Sequence, residues 1–237
     1  MKKIILKRAS CIICIVSLLV IQGFGQTDKF SLRKINSTKS EFTKPEPEER
    51  SPISYGILID TSAKMKELLP TAVKIAKNLI AQGQPNDDFF ITDVKNTSNI
   101  ELVKDFSGTV ESANKALDNV VATLGSSLLD GIVVSGEYLL SGKNKRKILI
   151  VISDGVDSDS EYNAEQTISK LKEYHVELYV ICIGSLKDKS QRDDSLQKNA
   201  TKLINKLVSQ VGGKEYFLSS STDVDSVVEK IITSLNQ

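Results

Sequence analysis

The stretch that most narrows what this chain can fold into is Lys147–Ser153, KILIVIS. Every residue from Ile148 to Ile152 is apolar, so as a strand it has no face to give to water and must be covered on both sides. Strands of that kind belong to mainly parallel sheets flanked by helices, and the rest of the sequence supplies the matching parts. Ile53–Ile59 is a second apolar run of strand length, and Phe89–Val94 and Ile100–Phe106 read as a strand pair around the turn-forming Lys95–Ser98. Val176–Ile183 and Glu215–Leu218 read as further strands. Between them lie helical patterns: Lys66–Gln82, where Pro70 demands a start close by, Val110–Leu124, Leu128–Leu140, Tyr162–Tyr174, Ser195–Val211 with its stop at Gly212-Gly213, and Val224–Leu235. This alternation sets the fold class as α/β, a doubly wound three-layer sandwich on a mainly parallel central sheet. There is no internal repeat, and residues 53–237 have the size of one domain.

Two segments precede that domain. Lys2, Lys3, Lys7 and Arg8 form a basic front, Cys11–Ile21 is apolar apart from Ser17, and Gly23-Phe24-Gly25 places small residues at cleavage spacing. That is the layout of a secretory signal peptide over residues 1–25, and its apolar run is short beside the roughly 20 residues of a membrane span. Cys11 and Cys14 fall inside that run rather than after it, which argues against a lipid anchor. The expectation is an exported protein, periplasmic or extracellular, with no stable membrane span after the signal is removed. Residues 26–52 are polar and aperiodic, a flexible N-terminal arm. Loss of residues 1–25 removes four positive charges and no negative ones, taking the net charge from +1 to −3. Nucleic acid is therefore not an expected partner. Cys182, alone in YVICIG, reads as a small buried hydrophobe.

Chemistry is expected beyond the carboxyl ends of the strands, where the strand order reverses. Asp60-Thr61-Ser62 follows the first strand, and Ser153-Asp154-Gly155 follows KILIVIS. If those strands are neighbours, two carboxylates converge and require a proton or a cation between them. Adjacent hydroxyls point to a hard divalent cation such as Mg²⁺, which takes oxygen ligands and keeps several waters. Gly125-Ser126-Ser127, ahead of a helix carrying Asp130, offers one more hydroxyl.

The motifs ILIDTSAKM, LGSSLLDGI, KILIVISDGVDSDS and LVSQVGGKEYFLSSSTDVDSV, in this order, resemble von Willebrand factor A domains, and are similar to the subgroup first collected from acidobacteria. The resemblance runs over about Ser54–Leu235. It implies a Rossmann-like sheet of about six strands with a metal-ion-dependent adhesion site at the top. There the family binds one divalent cation, whose shell is completed by an acidic residue of a protein partner. On this resemblance Asp60 and Ser62 take the first and third positions of the family's Asp-x-Ser-x-Ser loop. Ser126 stands where Thr is usual, and Asp154 is the acidic residue after the fourth strand. Lys64 falls on the second Ser of the loop and departs from the pattern, since an ammonium offers only donors. At ~4 Å from a carboxylate it would gain about 4 kcal/mol at an effective dielectric near 20, and so compete with a cation for Asp60 and Asp154. Swung into solvent, it would leave a site short of one ligand, which Mg²⁺ fills with water.

Of the remaining polar residues, Asp157 and Asp159 read as an acidic rim or a second cation site, or as solvated loop residues and a cap for the helix near Tyr162. Asp130 either orients loop hydroxyls or answers the helix dipole. His175, the single histidine, reads as a solvated loop residue, and Lys143–Lys147 as a hydrated turn. Three functions fit these residues. The first is a secreted, non-enzymatic binding module that docks an acidic group of an unidentified protein partner through the loops around Asp60, Ser126 and Asp154. The second is a metal-free scaffold in which Lys64 replaces the cation. The third, furthest from the residues, is an Asp60-dependent phosphohydrolase, whose acid–base carboxylate would have to stand where this chain has Ser62.

Overall fold

Residues 50–96, 99–106, 108–123, 125–184, 194–218 and 220–237 are described in a computed structural model. The expected signal peptide 1–25, residues 26–49 of the arm and the tip of the turn at 97–98 lie outside them.

The apolar runs form the sheet they imply. Its strands are β1 (Ile53–Asp60), β2 (Asp88–Asn96), β3 (Asn99–Lys104), β4 (Arg146–Ser153), β5 (Val176–Cys182) and β6 (Gly213–Phe217). They lie in the order β3-β2-β1-β4-β5-β6. All neighbours are parallel except β2 and β3, an antiparallel pair at one edge. The helices are α1 (Leu69–Ala81), α2 (Val110–Leu117), α3 (Leu128–Tyr138), α4 (Ala164–Glu173), α5 (Asp194–Val211) and α6 (Val224–Leu235).

Strand alternation divides the core into two layers. Ile148, Ile150 and Ile152, with Ile57 and Ile59, meet α1, α2 and α6 on one face. Leu149 and Val151, with Leu58 and Phe90, meet α3, α4 and α5 on the other. Every residue of β1 is buried, as are the last six of β4. Both strands are central, and they pair with each other from Ile53↔Arg146 to Ile59↔Ile152. From β1 the chain winds outward through β2 and β3, then returns to β4 and winds outward the other way. The reversal therefore falls between β1 and β4.

Several helix ends differ from the sequence pattern. α1 starts at Leu69, after a 3₁₀ turn at Ala63–Met65, and Pro70 sits in its first turn, where no N–H is needed. α2 stops at Leu117 instead of continuing to Leu124, which itself lies outside the described residues. The apolar spacing of Val120 and Val121 suits a helix, but Thr123 N donates to Thr61 O at 2.7 Å and draws this segment across to the end of β1. α4 is capped by Asn163, which accepts from Gln166 N at 3.0 Å while the Gln166 side chain accepts from Asn163 N. Neither Asp157 nor Asp159 caps it. His175 is exposed at the start of β5 with φ 54°, at the opposite end of that strand from the crevice. At the same far end, Arg50 grips Asp87 with two hydrogen bonds of 2.8 and 2.5 Å.

One glycine sets how closely a helix approaches the sheet. A Cβ on Gly131 of α3 would stand 2.3 Å from Val94 Cγ2, so only glycine lets α3 lie this near β1 and β2. Gly131→Val is expected to destabilise the domain by about 1–3 kcal/mol through overpacking, read as a lowered urea midpoint at unchanged m-value.

Candidate functional site

Because β1 and β4 are neighbours, the residues that end them emerge side by side. Asp60 and Asp154 are both fully buried, at 1% and 0% exposure. The same local device orients each carboxylate. Asp60 Oδ1 accepts from Ser62 N, and Asp154 Oδ1 from Val156 N, each two residues on and at 2.9 Å. Ser153 joins the two loops: its hydroxyl donates to Asp60 Oδ2 at 2.6 Å and accepts from Gly155 N at 2.8 Å. Thr61 secures the first loop from the other side, donating to Val94 O at 2.7 Å.

Burial and, second, the charge of Asp154 push the Asp60 carboxyl up to about 6. Among the described residues no basic side chain offsets this shift of Asp60. Lys64 is exposed, and its ammonium forms no hydrogen bond or ion pair among the described residues. The internal ion pair required by the metal-free reading is not made. Ser62, 2% exposed, has a hydroxyl oxygen with no hydrogen-bond partner of acceptable geometry, although it stands near enough to Asp60 to favour the ionised form slightly. An orphaned buried oxygen beside two buried carboxylates is a donor set suited to a hard cation. Among the described residues no group of three or more His, Cys, Asp or Glu could hold a metal, so any such site draws on hydroxyls and water.

Ser126 belongs to the loop before α3 and is tied to the Asp154 loop at several points. Its hydroxyl donates to Val156 O at 2.6 Å, and its N–H to Asp159 Oδ2 at 2.9 Å. Asp157 and Asp159 thus bond backbone N–H groups at and just before the start of α3, and neither caps α4. Asp157 Oδ1 accepts from Leu129 N at 3.2 Å and from Ser160 Oγ at 2.5 Å, and Ser160 Oγ accepts from Asp130 N at 3.2 Å. Asp130 returns the bond, its two oxygens accepting from Tyr162 N at 2.9 Å and Glu161 N at 3.1 Å. It holds backbone rather than orienting hydroxyls. These reciprocal bonds satisfy N–H groups that a helix start leaves without partners, and they latch α3 to the β4–α4 loop.

The structure therefore brings Asp60, Ser62 and Asp154 together, ties Ser126 to the loop that follows Asp154, turns Lys64 outward, and assigns Asp130 and Asp157 to the latch. Thr61 and Ser153 stood in the sequence only as hydroxyls beside the carboxylates; their bonds to Val94 O and Asp60 Oδ2 come from the structure. The available signal for Ser153 was a hydroxyl closing an otherwise apolar strand.

The von Willebrand factor type A domain model matches residues 56–232. No curated protein sequence matches the chain. Among solved structures, the fold is similar to von Willebrand factor type A from Catenulispora acidiphila, with TM-score 0.62 and 16% identity over 77% of this chain and 42% of that one. It is also similar to the conserved hypothetical protein BatB from Bacteroides thetaiotaomicron, with TM-score 0.60 and 15% identity over 78% of this chain and 100% of that one. The pilus adhesin SpaC from Lactobacillus rhamnosus GG aligns with TM-score 0.61 and 14% identity over 78% of this chain and 30% of that one. The chain spans less than half of the Catenulispora and Lactobacillus proteins, and at these identities the likeness is one of fold. The matched region contains Asp60, Ser62, Ser126 and Asp154 and the β1–β4 crevice they line, and the chain belongs to the von Willebrand factor type A domain family.

Proposed function

We propose that the protein is an exported, non-enzymatic interaction module. It docks an acidic group of a protein partner through a divalent cation held by Asp60, Ser62 and Asp154, with Ser126 beside them. The observation that carries this reading is the buried Asp60–Asp154 pair, with the orphaned Ser62 hydroxyl at its edge. A buried pair of this kind holds a proton or a cation, and a cation leaves a coordination position open to a partner's carboxylate. Ser126 can still accept through its oxygen after donating to Val156 O. With Lys64 outside, the site has one protein ligand fewer than the family pattern, so its affinity depends more on water and on the partner.

The scaffold reading is disfavoured because Lys64 does not reach the carboxylates. The phosphohydrolase reading lacks an acid–base group two residues after Asp60, and the single histidine lies at the other end of the sheet. Export rests on the basic front and apolar run of residues 1–25, and a pilus adhesin of the same fold is in keeping with it.

Calorimetry with Mg²⁺ or Mn²⁺ on residues 26–237 tests the reading. Binding is expected, lost in Asp60→Ala and tightened about ten-fold in Lys64→Ser, equivalent to about 1.4 kcal/mol. Heat seen only in Lys64→Ser would restore the metal-free scaffold, and Asp60-dependent phosphatase turnover would overturn both readings.

Titration supplies a second test. Asp60 holds its proton up to about 6 in the folded chain, against 3.8 as its ordinary value. Its protonated form therefore favours folding below pH ~4, and that contribution is lost as pH rises through ~6, about 3 kcal/mol in all. In chelator, urea unfolding is expected to show stability falling between pH 4 and 7. Asp60→Asn should flatten that slope, and saturating Mg²⁺ should restore the loss at pH 7. A slope unchanged in Asp60→Asn would detach the effect from this carboxylate.

A further inference from the structure

Beside the site, between the start of α1 and segment 118–123, lies a groove of about 780 Å³. It exists because α2 stops at Leu117 and Thr123 is drawn across to Thr61, leaving apolar surface on α1 uncovered. Leu69 and Leu117, nearly fully buried, form its base, and Val73 and Val120 its walls. Val121 stands at the rim with 62% of its surface exposed, the most of any large hydrophobic residue described. A cleft of this size lies within the ~300–1,000 Å³ range of ligand-binding pockets and has room for at least one bulky apolar side chain. An exposed aliphatic residue beside it marks a contact surface.

The charge around the groove has one sign to offer. Asp118, in its lining, is paired with Lys77 at 2.5 Å, and Glu67 has interactions of its own. Lys66, also in the lining, and Lys64 nearby are exposed and form no ion pair among the described residues. The groove is also continuous with the Asp60 loop. Ala63 in its lining directly follows Ser62, and Thr123 on its far side holds Thr61.

From these observations we infer that the groove receives an extended segment of a partner protein in which an acidic residue is followed, within two positions, by a bulky apolar side chain. The carboxylate goes to the Asp60–Asp154 site with Lys64 and Lys66 alongside, and the apolar side chain enters the groove against Leu69, Val73 and Val121. The destination of the carboxylate rests on the function proposed above; the apolar half rests on the groove alone. Lys64 then has a role that the family's hydroxyl lacks: it trades a cation ligand for a positive charge directed at the partner.

The test is a titration of the capped peptide acetyl-Ser-Gly-Asp-Leu-Phe-Gly-amide, at millimolar concentration, into ¹⁵N-labelled residues 26–237 with Mg²⁺. Amide shifts are expected at Leu69, Val73 and Val121 as well as at Ser62. Exchanging the peptide's Leu-Phe for Ser-Ser, or its Asp for Asn, should weaken binding about ten-fold each. Val121→Glu and Lys66→Glu should weaken it similarly, and because both side chains are exposed, an unchanged melting temperature will show that the fold is intact. Absence of groove shifts, or binding undiminished in Val121→Glu, overturns the inference. A concentration-dependent dimer broken by Val121→Glu also overturns it, by giving the groove to a second copy. Cation calorimetry on the same sample separates the two proposals. Mg²⁺ heat with a silent groove removes only this one, whereas groove shifts without Mg²⁺ heat remove only the cation.

Discussion

The parallel pairing of β1 with β4 is the constraint on which the rest depends. It places Asp60 and Asp154, far apart in the chain, at the ends of adjoining strands in a region water does not reach. In such a setting like charges are not screened, and the molecule must accommodate them by protonation, by a cation or by separation. Separation is prevented by the sheet. Both strands are fixed by two apolar layers, and Ser153 bridges their loops with a bond to Asp60. Burial first, and the charge of Asp154 second, raise the affinity of Asp60 for a proton.

The loops around that pair are held by backbone-directed carboxylates rather than by packing. Asp157 and Asp159 serve N–H groups at the start of α3, and Asp130 serves those approaching α4. In the acidic sequence Asp154–Ser160, two of the three carboxylates bond groups of the loop before α3 and of its first turn. These bonds tie the β4–α4 loop to the start of α3 at several points.

Lys64 shows how one side chain's direction can alter the reading of a motif. Turned inward, it would neutralise the carboxylates and displace a cation. Exposed, it makes no ion pair with either carboxylate and adds positive potential to the surface beside them. Sequence spacing could not decide between these, because both conformations follow from the same residue at the same position, and the choice depends on whether the 3₁₀ turn at Ala63–Met65 buries Met65 or its neighbour.

Strand and helix identity, the two-sided burial of KILIVIS and the placement of Asp60 and Asp154 at strand ends were all legible in the sequence, because they follow from local periodicity and from where apolar runs break. The start of α1 was nearly so, with Pro70 marking it. What only the tertiary structure decided were matters of partnership: the end of α2, set by a backbone bond from Thr123 to Thr61, the bridging role of Ser153, the conversion of Asp130 and Asp157 into a latch, and the groove that α2's early stop leaves open. The physical reason is the same for each. Periodicity reports which face of a segment avoids water, whereas a hydrogen-bond partner brought from a distant part of the chain leaves no mark on the spacing of its own residues.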